Sequence, residues 1–517
     1  TIAGIMRQLG PGVILAASIV GSGELIATTK TGAQAGFWLL WLIIIGCVIK
    51  IFAQVELGRY AISTGKATMT ALDEVPGPRP GGNHWILWYW LVMFVVGLAQ
   101  LGGIVGGVGQ ALAMNAPLNG SFNELLDAQK EWDAAAQPIE SRLQATDAAL
   151  RSDDPQFSRD AQQRIQQTIA AQLGVRPSWQ SDARFYWADD VWWAVVVTLA
   201  TMVILVLGHY ATIERLSAVL VASFTVVTVF TVIALQTHPE WAVHWSDIGQ
   251  GLSFRLPPLT EGLSRWTPLA TALATFGIIG VGTNELITYP YWCLEKGYAR
   301  FTGPRDDTPE WAQRARGWMR VMRWDAVISM IIFTFAPIAF YLLGAAVLHR
   351  QGLDPAGNEM ISMLGEMYVP VFGTWAKWLF LFGAFAVLYS TFFVANAGHT
   401  RVASDAVRVF GVGAQTEKAR QWWILVFCVA FPLFALACYV FIRYPARMVL
   451  ASGVMQAIML PMLAGATLYY RYYRCDKRIT PGRLWDLMLW ICALGMLIAG
   501  GGTVVTKLID HFAYLFR

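Results

Sequence analysis

GSGELIAT at residues 21–28 and GTNELITY at residues 282–289 share one pattern, in which a glycine, a hydroxyl residue and a small residue precede Glu-Leu-Ile. Each octapeptide lies inside a long apolar stretch, the first in the first stretch of the chain and the second in the sixth. A carboxylate inside a membrane span is costly, so Glu24 and Glu285 are expected to be functional. Inverted-repeat membrane folds bind their solute where two corresponding helices break near the midplane. The pattern therefore predicts a five-plus-five inverted repeat with broken helices 1 and 6.

The composition places the chain in the membrane class. Of its 517 residues, 56% are hydrophobic and only 14% are charged, which is too little charge for the surface of a soluble protein of this size. Eleven apolar stretches are long enough to cross a bilayer as helices. They cover residues 11–35, 37–62, 85–112, 190–208, 214–236, 268–293, 324–348, 375–398, 423–442, 447–470 and 484–509. The sequence therefore predicts an all-α polytopic membrane protein.

Lys and Arg are concentrated in the connections that follow the sixth, eighth and tenth stretches, at residues 296–323, 401–420 and 471–483. Positive residues are retained on the cytoplasmic side of a membrane, so the N-terminus is predicted to be cytoplasmic and the C-terminus outside. We expect a multi-pass protein of the cell membrane, in a bacterial inner membrane, surrounded by the lipid bilayer.

A polar insert separates the third and fourth stretches on the predicted outer face. The predicted organisation is helices 1–3 in residues 1–114, an extracellular or periplasmic helical insert in residues 115–189, and helices 4–11 in residues 190–517. Pro138 and Pro155 are expected to divide the insert into three helical pieces, with Ser158 capping the last. A solvated cap without chemistry is the favoured interpretation, and a partner or oligomer contact is the alternative.

Each Gly-rich octapeptide can unwind its helix and free backbone N–H groups, which is tolerated in a membrane only beside a cavity. The N-termini of the resulting half-helices favour negative charge. We predict that the chain is interrupted at residues 21–24 and 282–284 and that the freed amides bind the solute. The candidate substrate-binding residues are Gly21, Ser22, Gly23, Glu24, Gly282, Thr283 and Asn284. Glu24 and Glu285 are the candidate sites of a coupling proton or ion.

Glycines of the third stretch have a different expected role. Gly102 and Gly106, and likewise Gly103 and Gly107, are four residues apart and lie on one face of a helix. Small residues at this spacing let membrane helices approach closely. The favoured interpretation of these glycines is therefore helix packing.

Short motifs along the chain resemble those of the NRAMP family of divalent-metal transporters. They are Gly10-Pro11-Gly12, Gly32-Ala33-Gln34, Leu39-Leu40-Trp41, Arg59 with Thr64-Gly65-Lys66, Ser390-Thr391 with Ala397-Gly398, and Ser452-Gly453-Val454 with Leu460-Pro461. They follow the family's order over most of the membrane part and leave out the insert. The resemblance implies a LeuT-like fold with a five-plus-five inverted repeat, an eleventh transmembrane helix and broken helices 1 and 6. It also implies secondary transport of a small inorganic ion together with a coupling ion, H⁺ or Na⁺.

The chain departs from the family where the family holds its metal. In place of the family's first-span Asp-Pro-Gly-Asn, residues 21–24 read Gly-Ser-Gly-Glu. The family's sixth-span Met-Pro-His is Gly-Thr-Asn at residues 282–284, and Gly453 replaces a tenth-span Gln. A thioether favours transition metals over hard cations, so this preference is expected to be lost. Restoring the family residues with Gly21→Asp and Gly282→Met is expected to create Mn²⁺ binding.

Three functions are compatible with the altered site. The favoured hypothesis is transport of a small inorganic anion such as bicarbonate, because the hinge Asp that would repel an anion is absent. Two ionised glutamates beside an anion would repel it, so at least one must be neutralised. The main alternative is transport of a hard divalent cation such as Mg²⁺ or Mn²⁺, held by the oxygens of Glu24, Glu285 and Asn284. A non-transporting sensor is the second alternative.

The remaining polar residues indicate no other chemistry. His and Cys residues are dispersed, with no metal-ligand spacing, Ser-His-Asp arrangement or phosphate loop. We therefore expect no enzyme activity, no cofactor and no nucleic-acid partner, and no resident metal site is favoured.

Four charged residues of the first two stretches have structural interpretations. Lys50, Glu56 and Arg59 lie in the cytoplasmic half of the second stretch, where Glu56 and Arg59 are expected to pair. A proton or ion exit route is the alternative for these three. Lys30 is expected to extend to the outer interface.

Overall fold

The computed structural model describes residue 5 and residues 8–146, 155–208, 210–258, 266–355 and 360–515, and within these ranges all regular structure is helical. The α-helices are α1 (Pro11–Ile19), α2 (Thr29–Ala35), α3 (Leu40–Val48), α4 (Ile51–Thr64), α5 (Thr68–Asp73), α6 (Trp85–Asn115), α7 (Ser121–Thr146), α8 (Pro155–Leu173), α9 (Asp189–Leu207), α10 (Tyr210–Leu235), α11 (Trp245–Gly251), α12 (Trp266–Ile278), α13 (Thr283–Lys296), α14 (Tyr298–Thr302), α15 (Pro309–Leu343), α16 (His349–Gln351), α17 (Met360–Gly365), α18 (Val369–Phe372), α19 (Ala376–Val409), α20 (Glu417–Ile442), α21 (Pro445–Tyr469) and α22 (Arg483–Leu515). Segments of π-helix cover Ser22–Thr28, Gly344–Leu348 and Tyr470–Arg474. Short 3₁₀ turns cover Pro80–Gly82, Ala183–Phe185, Glu366–Tyr368, Gly373–Trp375 and Lys477–Ile479.

The predicted membrane-crossing helices are confirmed. Within the described ranges, 10 helices are long and apolar enough to cross a bilayer, and the bent pair Pro11–Ile19 and Gly23–Ala35 makes an eleventh. Each overlaps one of the eleven predicted stretches. The seventh begins at Pro309 rather than at residue 324, because an amphipathic extension that buries Trp311 and Met319 precedes its apolar part. The architecture is an all-α polytopic membrane protein with the LeuT-like arrangement of helices.

Both predicted helix breaks are present, at slightly different residues. In the first, α1 ends at Ile19 and the chain becomes helical again at Ser22, with its two halves bent by 42°. In the second, α12 ends at Ile278 and α13 begins at Thr283. The predicted interruptions at residues 21–24 and 282–284 are therefore corrected to residues 20–21 and 279–282.

Gly280 explains the position of the second break. Its φ of 55° is a left-handed backbone conformation that glycine adopts without steric cost. A Cβ at Gly280 would lie 2.6 Å from the Cα of Cys47, so the break also packs directly against the second membrane span. As a result, Glu24, Thr283 and Asn284 lie in the first turns of the helical segments that follow the breaks, outside the gaps themselves.

Glycines of α6 allow three helices to pack closely, as predicted. A Cβ at Gly102 would lie 2.7 Å from the carbonyl oxygen of Ala435 on α20. At Gly103 it would lie 2.8 Å from the carbonyl oxygen of Pro445 on α21. At Gly106 it would overlap the ring of Tyr439. Side chains at these three positions would force α6 away from α20 and α21.

The insert contains two helices over its described residues, and not three as predicted. α7 continues through Pro138, and α8 begins at Pro155, so Ser158 lies inside α8 and does not cap it. Proline fits the first turn of a helix, where its missing N–H has no intrahelical partner to lose. Ala136, Ile165 and Ile169 form a small core between the two helices. The Trp132 indole N–H closes the pair by donating to the carbonyl oxygen of Gly174 at 3.1 Å.

The structure shows the partners of the charged residues Glu56, Arg59 and Lys30 of the first two spans. Arg59 Nε donates to both carboxylate oxygens of Glu56 at 3.1 Å, which confirms the expected pair. Lys30 is paired within the protein. It is 7% exposed, forms an ion pair with Asp354 and donates to the carbonyl oxygen of Pro355 at 3.0 Å. The connection after α16 therefore supplies the acceptors that the sequence could not identify.

Candidate functional site

The two broken helices meet at their gaps. A Cβ at Gly23 would lie 3.3 Å from the carbonyl oxygen of Ile278, the last residue of α12. Beside this contact, the hydroxyls of Thr31 and Thr275 are hydrogen-bonded at 2.9 Å. The structure therefore brings the two sequence-related octapeptides into one region, as the inverted repeat requires.

Glu24 is a buried carboxylate with one unpaired oxygen. The residue has 0% exposure, and its Oε2 accepts the backbone N–H of Gly21 at 3.2 Å. Its Oε1 is buried and has no hydrogen-bond partner in the described part of the chain. An unpartnered buried carboxylate oxygen is costly, and such exceptions call for an explanation such as a bound ion or water.

Glu285 lies in the first turn of α13 and faces α1. Its Oε1 accepts the hydroxyl of Ser18 at 3.2 Å. A Cβ at Gly282 would lie 2.5 Å from Oε2 of Glu285 and 3.1 Å from Oε1 of Gln456, so the missing side chain leaves space for both groups. Glu285 and Glu24 interact electrostatically across the breaks. Each of the two broken spans thus carries one carboxylate near its break.

Lys50 adds a positive charge that the sequence analysis had treated as structural. It has 0% exposure and sits between α3 and α4. Its Nζ donates to the carbonyl oxygens of Phe276 and Ile279, each at 2.6 Å, where α12 ends. Lys50 also interacts electrostatically with Glu24 and Glu285. The costly placement of a lysine near the middle of an apolar stretch was the available signal.

Gln456 is a second residue that the sequence analysis missed. Its backbone carbonyl accepts the hydroxyl of Thr283 at 2.8 Å, and its side-chain Oε1 accepts the backbone N–H of Asn284 at 3.3 Å. Its Nε2 donates to Oε1 of Gln100 at 3.0 Å, which holds the amide in this orientation. No local pattern could have marked Gln456, because its role depends on the packing of α21 beside α13.

Two of the predicted backbone amides have acceptors within the chain. The N–H of Gly21 faces Glu24, and the N–H of Asn284 faces Gln456. Glycines 23 and 282 leave space at the breaks, as described above, whereas the side chain of Ser22 lies outside the described part of the chain. At each half-helix N-terminus, one backbone N–H is therefore already paired with a side-chain oxygen of the protein.

Two family positions cannot accept the family side chains without rearrangement. A Cβ at Gly21 would overlap the hydroxyl of Thr391 on α19. A Cβ at Gly453 would clash with the carbonyl oxygen of Ala274 on α12. The expectation that Gly21→Asp restores a metal ligand is thus in steric conflict with the packing of α19.

Oxygen atoms dominate the ligands that the breaks offer. No group of three or more His, Cys, Asp or Glu side chains that could hold a metal occurs in the described ranges. The acidic groups at the breaks are Glu24 and Glu285, and the neutral oxygens beside them include the side-chain oxygen of Gln456. This arrangement suits a cation that keeps part of its water shell.

Comparisons with known proteins agree with the helical architecture. Residues 185–506 match the model of the family described as natural resistance-associated macrophage protein-like. The solved structure of a manganese transporter from Eremococcus coleocola, in complex with an aromatic bis-isothiourea compound, superposes with a TM-score of 0.61 at 14% identity, covering 98% of this chain and 88% of that one. A mutant of the same transporter gives a TM-score of 0.60.

Curated sequences give partial matches. A divalent metal cation transporter MntH of Mycobacterium tuberculosis is 30% identical over 112 residues, which are 21% of this chain and 25% of that protein. An uncharacterized protein of Pasteurella multocida is 23% identical over 220 residues, which are 42% of this chain and 44% of that protein. The matches therefore span less than half of the length of these curated relatives.

Proposed function

Because this chain belongs to the natural resistance-associated macrophage protein-like family, we propose that it is a secondary transporter that carries a hard divalent cation such as Mg²⁺ or Mn²⁺ across the membrane by alternating access. This was the alternative in the sequence analysis. The single observation that carries the proposal is the unpaired, buried Oε1 of Glu24 at a pair of helix breaks that also carries Glu285. A divalent cation would supply the missing partner of that oxygen and would offset the repulsion between the two carboxylates.

The neutral groups at the breaks support a hard cation. Mg²⁺ commonly binds through one or two carboxylates and retains several waters. The two glutamates at the breaks match that number of carboxylates. Gly282 places no thioether at the site, so nothing there favours soft transition metals. Lys50 reduces the negative charge that the two glutamates contribute, which favours reversible binding over tight binding.

Bicarbonate transport is the second candidate. The buried ammonium of Lys50 and the absence of an acidic side chain at Gly21 favour an anion. Against it, the amides of Gly21 and Asn284 already have acceptors, and the curated relative that has a functional name is a divalent metal cation transporter. In either case Glu24 and Glu285 are proposed to take part in coupling to a proton or a second ion.

Uptake into proteoliposomes tests the proposal. Vesicles with the purified chain are assayed for Mg²⁺ and Mn²⁺ entry with a fluorescent indicator and for entry of radiolabelled bicarbonate. We expect divalent-cation entry above that of empty vesicles, and a loss of entry in Glu24→Gln. Glu310→Gln, at an exposed position of α15, is the matched control and is expected to transport at the wild-type rate. Bicarbonate entry without cation entry would overturn the proposal, and entry of neither under any gradient would favour a sensor.

The distribution of positive residues and the position of the insert bear on how the chain is oriented in the membrane. We propose that the N-terminus is cytoplasmic, as the distribution of Lys and Arg favours, in a bacterial inner membrane. The segment 115–189 would then form an external cap between residues 1–114 and 190–517. Contacts such as that of Arg443 Nη1 with the carbonyl oxygen of Phe185, at 2.9 Å, tie the base of this segment to the membrane helices.

A further inference from the structure

The carbonyl end of α12 is occupied by a side-chain cation. The last carbonyls of a helix have no intrahelical partners, and they carry the negative end of the helix dipole. Here Nζ of Lys50 lies 2.6 Å from the carbonyl oxygens of Phe276 and Ile279. It also lies 4.9 Å from the centroid of the Phe276 ring. Lys50 therefore fills a position with oxygen ligands, a helix C-terminus and an aromatic ring, each of which attracts a cation.

This position would attract a free cation if the lysine were absent. Carbonyl oxygens are ligands for hard cations, and unwound backbone at helix breaks is where membrane carriers bind coupling cations. The close packing of Gly280 on Cys47 holds the break beside the lysine-bearing turn. Since the ammonium is attached to the chain, its effective concentration at the carbonyls does not depend on the solution.

We propose that the Lys50 ammonium is a built-in cation that occupies the carbonyl end of α12, so that the transport cycle requires no Na⁺ or other free monovalent cation. The proposal rests on transport by this chain and not on the identity of its cargo. It selects H⁺ over Na⁺ among the coupling ions that the family resemblance left open.

A simpler role for Lys50 would be to neutralise the two carboxylates. Glu24 and Glu285 do contribute to the field at Lys50. Both hydrogen bonds that Lys50 makes in the described part of the chain nevertheless go to carbonyl oxygens. A lysine that only neutralised the carboxylates would not have to donate to the carbonyl oxygens. A cation that binds the carbonyl end of α12 must contact them.

The first test uses stability and needs no cargo. Thermal unfolding of Lys50→Ala is measured in choline, Na⁺, K⁺ and methylammonium buffers of equal ionic strength. We expect a lower midpoint than wild type in choline, and a saturable rise with one of the small cations that enter the vacated position. Lys30→Ala is the matched control, since Lys30 is also buried and also donates to a backbone carbonyl. Its midpoint, like that of the wild type, is expected to be the same in all four buffers.

The second test uses transport. The wild-type uptake rate is expected to be equal in Na⁺ and choline buffers. The uptake rate of Lys50→Ala in choline buffer is expected to be about tenfold lower than that of the wild type, because the substitution removes two buried charge-assisted hydrogen bonds. The rate is expected to recover in the buffer whose cation stabilises the variant. Lys50→Arg, which keeps a cationic donor, is expected to remain independent of Na⁺.

Three results would overturn the proposal. The first is that Na⁺ stimulates uptake by the wild type. The second is that Lys50→Ala in choline is as stable and as active as the wild type, and the third is that no small cation restores what Lys50→Ala has lost. If Lys50→Ala does not fold, the uptake rates of the wild type and of Lys50→Arg in Na⁺ and choline buffers test the proposal. The thermal measurement contains no divalent cation or bicarbonate. Its result therefore does not depend on which ion the chain transports, and the proposed function can be wrong while this proposal is right.

Discussion

The hydroxyl of Ser18 donates to Oε1 of Glu285 at 3.2 Å and so joins the first half of one broken span to the second half of the other. The two residues are 267 positions apart in the sequence. Movement of α1 relative to α13 must break or stretch this hydrogen bond. Ser18 and Glu285 therefore link the motion of the broken helices to the state of a carboxylate.

Ser18→Ala is expected to weaken this link. The loss of one hydrogen bond should lower the free energy of unfolding by about 1 kcal/mol and reduce the dependence of uptake on a proton gradient. The measurements are thermal unfolding and uptake at several imposed pH gradients. Ser253→Ala is the control, because Ser253 is exposed and its hydroxyl donates to the carbonyl oxygen of Gln250 in its own turn. An unchanged gradient dependence in Ser18→Ala would remove this contact from the coupling mechanism.

Glu24→Gln is expected to weaken divalent-cation binding while the protein remains folded. The substitution keeps the size of the side chain and removes the charge that faces the cation. We expect the dissociation constant for Mg²⁺ to rise by at least about tenfold, or ~1.4 kcal/mol, in isothermal titration calorimetry. Equal affinities in wild type and variant would show that the unpaired oxygen of Glu24 is not a ligand.

Asp325→Asn is expected to destabilise the N-terminal end of α1. The Asp325 carboxylate accepts the backbone N–H of Gly10 at 3.0 Å and that of Gly12 at 2.6 Å, together with the hydroxyl of Tyr289 at 3.1 Å. An amide has one acceptor oxygen, so at least one of these donors would lose its partner, at a cost of about 1–3 kcal/mol. Thermal unfolding measures the effect. Tyr289→Phe, which removes a single donor, should cost less, and the reverse order would contradict this account.

Gly21→Asp alone is expected to lower stability without creating a Mn²⁺ site. The new Cβ would overlap the side chain of Thr391, and α19 would have to move to admit it. Combining the change with Thr391→Gly is expected to recover part of the thermal midpoint by making room. Strong Mn²⁺ binding by the single variant, detected by calorimetry, would show that α19 yields more easily than its packing indicates.

Asp476 is expected to make the turn at residues 476–480 sensitive to acid. Hydrogen bonds from the Arg478 guanidinium lower the pKa of Asp476 to about 2, with the backbone N–H of Arg478 and the charge of Arg305 acting in the same direction. Because this pKa is below the ordinary value of about 3.9, the carboxylate stabilises the turn above that pH. The contribution is lost as the pH falls through about 2.

Hydrogen exchange of residues 476–480 measures this effect. Protection in the wild type is expected to fall between about pH 4 and pH 2, whereas Asp476→Asn should be poorly protected throughout and should show no such step. A step of equal size in both proteins would assign the acid sensitivity to another group.

Local patterns predicted most of the fold. Long apolar stretches marked every membrane-crossing helix, because the bilayer demands about 20 such residues whatever the tertiary contacts. The glycines of residues 21–28 and 282–289 located both breaks to within a few residues. The error at Pro138 has a physical reason: a proline bends a helix without necessarily ending it, and α7 continues past it.

The site was less accessible to sequence analysis. Glu24 and Glu285 stood out because carboxylates are rare in spans, and both do face the breaks. Lys50 and Gln456 act through carbonyls and amides of distant helices. These contacts are revealed only by the packing of the turn between α3 and α4 against α12, and of α21 against α13. The acceptors of the Gly21 and Asn284 amides could not be predicted for the same reason, since they come from side chains that the pattern could not place.

The close approach of α6 to α20 and α21 has a mechanical consequence. Helices that touch backbone to backbone at Gly102 and Gly103 cannot slide past one another without first separating. If the chain works by alternating access, we expect these three helices to move as one unit, against which the broken helices rotate. The pivot of that rotation is then set by residues that contribute no side chain at all.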